Sequence, residues 1–324
     1  MPVKIITDSS CDLAPGIKEN YDVDVIPLYI NIGDKSFIDG VTITREEFYQ
    51  NLTTYSSYPK TAAPSPATFI EHYQKAADEG YTEVVSIHVS GKLSGTINSA
   101  RMGAEEFGAI PVHVIDSQNL SAGAGFVVQH AAEAAKTGKT IDEVLAAIND
   151  LLPRVYTFAV IANLDHLKNS GRMAQVITTL SSMLKIRIML KMGHGRPGAE
   201  QFRTFKKSIN RIVELADQLK PFTDLHFVHT NTIETAEMLI RKITPKLNSG
   251  IKPQVLTVNP VLGAHLGPTA FGFSCVTENP PELSIFERSI ESINHAVSDI
   301  KLPKTPSSLR SFLGDKKKNE SDEN

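Results

Sequence analysis

Small hydroxyl and carboxyl side chains recur just after short apolar runs of this chain. Asp8, Ser9 and Ser10 follow Val3 to Thr7; Ser90, Gly91, Ser94, Gly95 and Thr96 follow Val84 to Val89; Asp116 and Ser117 follow Val112 to Ile115. Thr61 stands just before a helix that Ser65 and Pro66 open. If the runs are parallel strands, these residues gather at the carboxyl ends, where open α/β sheets bind ligands. Hydroxyls and the unpaired N–H groups of helix starts suit a carboxylate or a phosphate, because they donate without bringing a counter-ion. Each residue alone is equally well explained as a helix cap or a turn-organising aspartate. Their recurrence at three strand ends favours a binding crevice.

Three further residues in the second half have chemistry to offer. His265 lies in GAHLGPTAFG, between Gly263 and Gly267, where a backbone without side chains can approach a ligand. Arg203, on a short strand after a glycine-rich turn, and Arg172, in NSGRM, are fixed charges suited to phosphate. Either arginine reads equally well as an ordinary surface cation.

Other motif matches fail on context. Gly193, Gly195 and Gly198 spell the dinucleotide-binding pattern, but Pro197 interrupts the turn and Phe202 to Phe205 reads as a strand, so a hairpin is expected. GKLSG at Gly91 to Gly95 resembles a nucleophile elbow with its serine one place late. His226 and His229 are three apart in a strand-like run, which points them to opposite faces and makes them poor joint metal ligands.

The positioning elements follow from periodicity. Val3 to Thr7, Val23 to Ile32, Val84 to Val89 and Val112 to Ile115 read as strands. Between them, Thr44 with Glu47 makes a capping box, and Ser65 with Pro66 starts a helix that Gly80 should stop. Further helices are expected from Ser94 to Gly108 and from Gly123 to Lys136. This alternation predicts a mostly parallel sheet covered on both faces. Beyond a boundary near Pro153, strands at Phe158 to Ile161, Ile186 to Met192, Phe202 to Phe205, Leu225 to His229 and Val255 to Val258 join helices at Ser208 to Leu219 and Thr232 to Leu247. They predict a smaller α/β unit with a mixed sheet.

The expected organisation is therefore two α/β domains, 1–153 and 154–277, followed by an amphipathic helix at 278–300 and a disordered tail at 301–324. The helix is drawn by Phe286, Ile290, Ile293, Val297 and Ile300. The 324 residues fit two domains at about 150 residues each. With 33 Lys and Arg against 36 Asp and Glu, the net charge of −3 gives no basic field for nucleic acid. Cys11 and Cys275 are too few for a disulfide framework. The start of the chain lacks a secretory pattern and no apolar run approaches the ~18 residues of a spanning helix, so a cytoplasmic protein is expected.

TDSSCDL from Thr7, TAAPSP from Thr61, SGKLSGTINSA from Ser90, IDSQNLSAGAG from Ile115, LKNSGRM from Leu167 and GAHLGPTAFG from Gly263 together resemble the DegV family. The ordered motifs cover about residues 3 to 275. The resemblance implies a DegV-like fold of two α/β domains, a long-chain fatty acid as ligand, and service as the non-catalytic acyl-binding subunit of a bacterial fatty acid kinase. It implies no cofactor on this chain, with ATP and magnesium on the partner kinase. By motif, Thr61 and Ser94, the helix start at Gly95, and His265 would hold the fatty-acid carboxylate, while Arg203 and Arg172 would support phosphotransfer. Ser170 replaces the first glycine of the family's GGR-type turn, and Ala62 and Ala63 replace a serine and a glutamine.

On this reading the apolar interior of the first domain encloses the acyl chain, and the partner phosphorylates the carboxylate to an acyl phosphate for phospholipid synthesis. A transient membrane contact is compatible with it. The competing reading is a serine-dependent acyl hydrolase or acyltransferase with Ser94 as nucleophile and His265 as base. A phospho-carrier using His265 is a third.

Overall fold

Every residue of β1 (Val3–Asp8) is buried in the computed structural model, which describes residues 2–162, 164–173, 187–247 and 250–281. A strand buried on both sides needs cover on both. The chain supplies it in order, through α1 (Ile17–Asn20), β2 (Asp24–Ile26), β3 (Tyr29–Ile32), β4 (Lys35–Ile38), α2 (Arg45–Asn51), β5 (Lys60–Ala62) and α3 (Pro66–Asp78). There follow β6 (Glu83–His88), α4 (Thr96–Glu106), β7 (Val112–Asp116), α5 (Ser121–Lys136) and α6 (Ile141–Leu151). The order β2-β1-β6-β7 makes a sheet that is parallel throughout. Ile6, Ile26 and Val84 meet Phe69 and Tyr73 of α3 and Ala100 of α4. On the other face Ile5, Val85 and Ile87 meet Phe126 and Val127 of α5 and Val144 and Ile148 of α6.

The local helix signals act as the sequence predicts. Thr44 and Glu47 exchange both bonds of the capping box. Ser65 accepts from the Thr68 N–H with Pro66 at the first helical position. Val23 to Ile32, in contrast, is not one strand. Pro27 has no N–H to continue a ladder, and the run divides there: β2 joins the parallel sheet while β3 pairs with β4 and β5 in a separate antiparallel sheet. Thr61, just before α3 as expected, therefore lies in a short strand, β5, opposite Ile30.

The second half contains β8 (Val155–Ile161), α7 (Asp165–Asn169), β9 (Arg187–Gly193), β10 (Arg196–Phe202), α8 (Phe205–Leu219) and β11 (Phe222–His229). It continues with α9 (Ile233–Ile243), β12 (Gln254–Thr257), α10 (Pro260–Leu266) and β13 (Phe271–Thr277). Its sheet runs β10-β9-β8-β13-β11-β12 and is antiparallel except for the β11–β12 pair. The fold is thus α/β, with one parallel sheet, one mixed sheet and the small antiparallel sheet of β3, β4 and β5.

Two boundaries shift for physical reasons. The hairpin turn is only His194 and Gly195, whose φ values of 51° and 67° suit a tight two-residue hairpin turn. Pro197 accordingly sits inside β10, which is tolerable because β10 is the edge of its sheet. β10 ends at Phe202 and Thr204 caps α8 by accepting from the Lys207 N–H. Arg203, expected on a strand, is exposed in the link between them.

Helix α5 lies between the two sheets, touching β1 and β6 on one side and β8 and β13 on the other. A Cβ at Gly125 would stand 2.3 Å from the Asp12 carbonyl oxygen, and one at Gly123 the same distance from Thr157 Oγ1. The close approach needs glycine at both positions. Two of the apolar clusters mix residues of both halves: Val155 and Val276 pack with Val3 and Phe126, and Val228 and Leu262 pack with Phe48 and Ala122.

Cys11 and Cys275 are buried and unbonded. Among the described residues no helix is long and apolar enough to cross a membrane. The stripe from Phe286 to Ile300 and the tail at 301–324 lie outside the described residues.

Candidate functional site

The loop after β6 is a tight turn in which the Leu93 and Ser94 N–H groups both donate to the Ser90 carbonyl. It leaves Ser94 one place ahead of Gly95, the capping position of α4. Ser94 Oγ accepts from the Thr96 N–H at 3.2 Å and lies 2.8 Å from Thr96 Oγ1. From the opposite side comes α10, opened by Pro260 and closed by Gly267 at φ 74°. It packs so closely on α2 that a Cβ at Gly263 would be 2.4 Å from Tyr49 Oη, which donates to the Val258 carbonyl at 2.9 Å. His265 occupies the last turn of α10.

These elements bring Ser10, Thr61, Ser94, Arg172 and His265 to the wall of one cavity, with about 620 Å³ of empty space including its open mouth. Thr61 Oγ1 lies 2.9 Å from His265 Nε2. Nδ1 of His265 is buried and has no hydrogen-bond partner among the described residues. Burial, with the charges of Arg172 and His166 added, pushes the His265 pKa down to about 3, so the ring is neutral at ordinary pH. Arg172 Nη1 donates to the Ser170 carbonyl at 3.1 Å. Gly95 adjoins the cavity through Ser94, whereas Arg203 is not among the residues lining it.

A second cavity, with about 570 Å³ of empty space including its open mouth, shares Leu93, Leu120, Leu190 and Leu266 as lining with the first. Its other walls include Met192, Val228, Val258 and Phe271. The apolar room therefore lies against the mixed sheet, not inside the first domain as the sequence reading expected. Both faces of the parallel sheet are already covered by helices.

Sequence reasoning missed three features. His166, on α7, has its Nδ1 3.4 Å from the Ala264 carbonyl and its ring edge-on to Tyr58 at 5.0 Å. Burial lowers its pKa. The second feature is a fully buried chain behind Ser10. Asp8 Oδ1 accepts from the Ser10 N–H at 3.0 Å and contacts Ser10 Oγ, while Oδ2 accepts from the Val89 N–H at 3.1 Å and from His88 Nδ1 at 3.0 Å. His88 Nε2 continues to Ser86 Oγ at 2.7 Å, and Ser86 to Tyr73 Oη at 3.0 Å. Burial alone would raise the Asp8 carboxyl, but His88 and the other donors hold it below its ordinary range. The alternation of Ser86 and His88 inside an apolar strand was a readable sign.

The third is a groove at the start of α10, where Asp39, Arg45 and Asn259 meet. Asp12 Oδ1 accepts from the Asn259 N–H at 2.8 Å, Asp12 Oδ2 accepts from Ser121 Oγ at 2.6 Å, and Arg45 bonds the Asn259 side chain. The buried Asp39 carboxyl makes no hydrogen bond of good geometry among the described residues, Ser9 and the Val261 N–H being close enough only to offset part of its burial. Burial, and secondarily the charge of Asp12, pushes Asp39 up to about 7. Burial also raises Asp12 to about 6, against the pull of Arg45 and Ser121.

His226 stacks on Phe126 at 4.7 Å, while His229 accepts from the Thr232 N–H. Among the described residues no group of three or more His, Cys, Asp or Glu side chains is placed to hold a metal.

A family model described as "Uncharacterised protein, DegV family" matches residues 2–278. A DegV domain-containing protein of Listeria innocua is 32% identical over 279 residues, which is 85% of this chain and 99% of the relative. One from Clostridium perfringens is 34% identical over 218 residues, 67% of this chain and 78% of the relative. Among solved structures, a Thermotoga maritima protein described as revealing fatty acid binding function superposes with a TM-score of 0.75 at 29% identity, covering 86% of this chain and 99% of that one. A Thermus thermophilus DegV family protein described by its fatty acid binding has a TM-score of 0.76 at 30% identity, covering 86% and 100%.

Proposed function

The chain belongs to the DegV family, and from that premise we propose that it binds a long-chain fatty acid. The carboxyl group sits against Thr61, Ser94, the Gly95 helix start and His265, and the acyl chain fills the adjoining apolar cavity. The observation that carries this reading is the pair of adjacent cavities that share four lining leucines, one bearing hydroxyls and a histidine and the other walled mainly by apolar side chains. The unpartnered Nδ1 of His265 marks a polar group left for a ligand. At ~0.8 kcal/mol per buried CH₂, a chain of about sixteen carbons contributes on the order of 10 kcal/mol before ordering costs. The chain then supplies affinity and the head contacts supply orientation.

In the finer form of the proposal the protein is not itself an enzyme. A cytoplasmic partner kinase supplies ATP and magnesium; a carboxyl oxygen of the bound acid, giving up any proton it carries, attacks the γ-phosphorus, the bond to the departing ADP breaks, and the acyl phosphate stays on this subunit. Arg172 lies within reach of the head group. Arg203, exposed at the β10–α8 link, would have to act from the docked complex. The hydrolase alternative loses its geometry: His265 Nε2 bonds Thr61 and Ser94 bonds Thr96, so the proposed nucleophile and base do not pair with each other.

Solvent extraction of the purified protein followed by mass spectrometry tests the reading. Stoichiometric free fatty acid is expected. Thr61→Ala and Ser94→Ala should each weaken its retention by ~0.5–3 kcal/mol, the range from a neutral to a charged hydrogen bond. Ester cleavage abolished by Ser94→Ala, with no lipid present, would overturn it. Arg203→Ala should keep the lipid and lose acyl phosphate formation with a cognate kinase.

A further inference from the structure

We infer that Ser10 is a head-group residue that offers the ligand only lone pairs, and that the cavity is therefore matched to a fatty acid in its protonated, uncharged form. The inference rests on the fatty-acid reading above and specifies the state in which the acid is held. Both Asp8 oxygens are used: Oδ1 faces the N–H and the hydroxyl of Ser10, and Oδ2 faces the Val89 N–H and His88 Nδ1. A carboxylate so surrounded is ionised and can only accept. The Ser10 hydroxyl must then be the donor in its bond to Asp8. Its proton points inward, and what it presents to the cavity it lines is oxygen lone pairs.

Ser94 is the complement. Its oxygen accepts from the Thr96 N–H, so its hydroxyl proton remains available to a ligand or to Thr96 Oγ1. One wall thus accepts and another donates. An undissociated carboxyl group has one donor and one carbonyl acceptor and satisfies both walls. A carboxylate has only acceptors, and it would meet the lone pairs of Ser10 with the ionised Asp8 directly behind them.

The charged groups around the head do not reverse this. His265 on α10 and His166 on α7 are held toward the neutral form by burial. His88 is shielded behind Asp8. Arg172 favours an ionised ligand from one side, and Asp8 opposes it from the other. Farther out, Asp116 is tied to the Gly91 and Gln118 N–H groups, and Lys92 is exposed in the loop after β6. Arg172 lines the cavity and Asp8 stands behind Ser10, so the two charges pull in opposite directions and the donor and acceptor pattern of the wall sets the preference.

The test is the carboxyl carbon signal of palmitic acid labelled with ¹³C at that carbon, bound to the full-length protein and read at pH 6 and upward. An ordinary carboxyl, with a pKa near ~4.3, is almost wholly ionised at pH 6. The expected signal at pH 6 is that of the undissociated acid, titrating at least two pH units above the ordinary value. In Ser10→Ala the bound acid should titrate at least tenfold more readily and appear ionised at pH 6, and Ser10→Thr should restore the wild-type signal. An ionised signal in the wild-type protein, or the same titration in Ser10→Ala, overturns the inference while leaving fatty-acid binding intact. If Ser10→Ala does not fold, the wild-type signal alone decides. Failure of the labelled acid to bind at all overturns the fatty-acid reading itself.

Discussion

Asp8 and Asp39 are both buried carboxyls in the first half of the chain, yet they behave oppositely. Asp8, under the head-group cavity, is ringed by two backbone N–H groups, a serine hydroxyl and a histidine, and its pKa falls. Asp39, in the groove at the other end of α10, makes no hydrogen bond of good geometry among the described residues, Ser9 and the Val261 N–H only partly offset its burial, and it is pushed up to about 7. Burial is nearly the same in the two places. What differs is the number of donors aimed at the oxygens, and that number sets whether a buried acid is a fixed charge or a titrating group.

The sharpest way to break the comparison is Asp8→Ala. It strands His88 and two backbone N–H groups in the interior and should cost ~3–5 kcal/mol, as breaking a buried pair does. Thermal unfolding with wild-type stability would show that the ring of donors around Asp8 contributes nothing.

Asp39→Asn should act in the opposite direction. The folded-state pKa of Asp39 lies above the ~3.9 of an unfolded aspartate, so the folded protein holds the extra proton between those values and loses stability as pH rises through about 7. The asparagine lacks that charge. Its unfolding free energy should therefore exceed the wild type by ~1–3 kcal/mol at pH 8, with the gain fading toward pH 5. Denaturant curves at the two pH values decide it, and a loss of stability at pH 8 would refute the account.

The smallest expected effect is that of Tyr49→Phe. Its hydroxyl bonds the Val258 carbonyl just before α10, and removing it should cost ~1 kcal/mol. A much larger loss would mean that Tyr49 also supports the Asp12 and Asp39 groups.

Local chemistry was legible in the sequence. The Thr44–Glu47 capping box, the Ser65–Pro66 start and the edge-strand hairpin each depend on residues a few places apart, and the structure contains all of them. The three-stranded sheet was not legible. Its short strands β4 and β5 owe their state to pairing with β3, so the strand that carries Thr61 was not foreseen. Thr61 and His265, 204 residues apart, were joined only by family resemblance, because no spacing rule reaches that far. His166 carried no motif and is defined by what folds around it.

The wedge formed by α5 bears on how this molecule could be inherited or engineered. With glycines seating it against the Asp12 backbone and the Thr157 side chain, one helix serves as lining for two sheets. A gene severed at the 153/154 junction would encode one fragment with a bare helix flank and another with an uncovered sheet. Neither half is a portable cassette, and recombination would have to exchange them together.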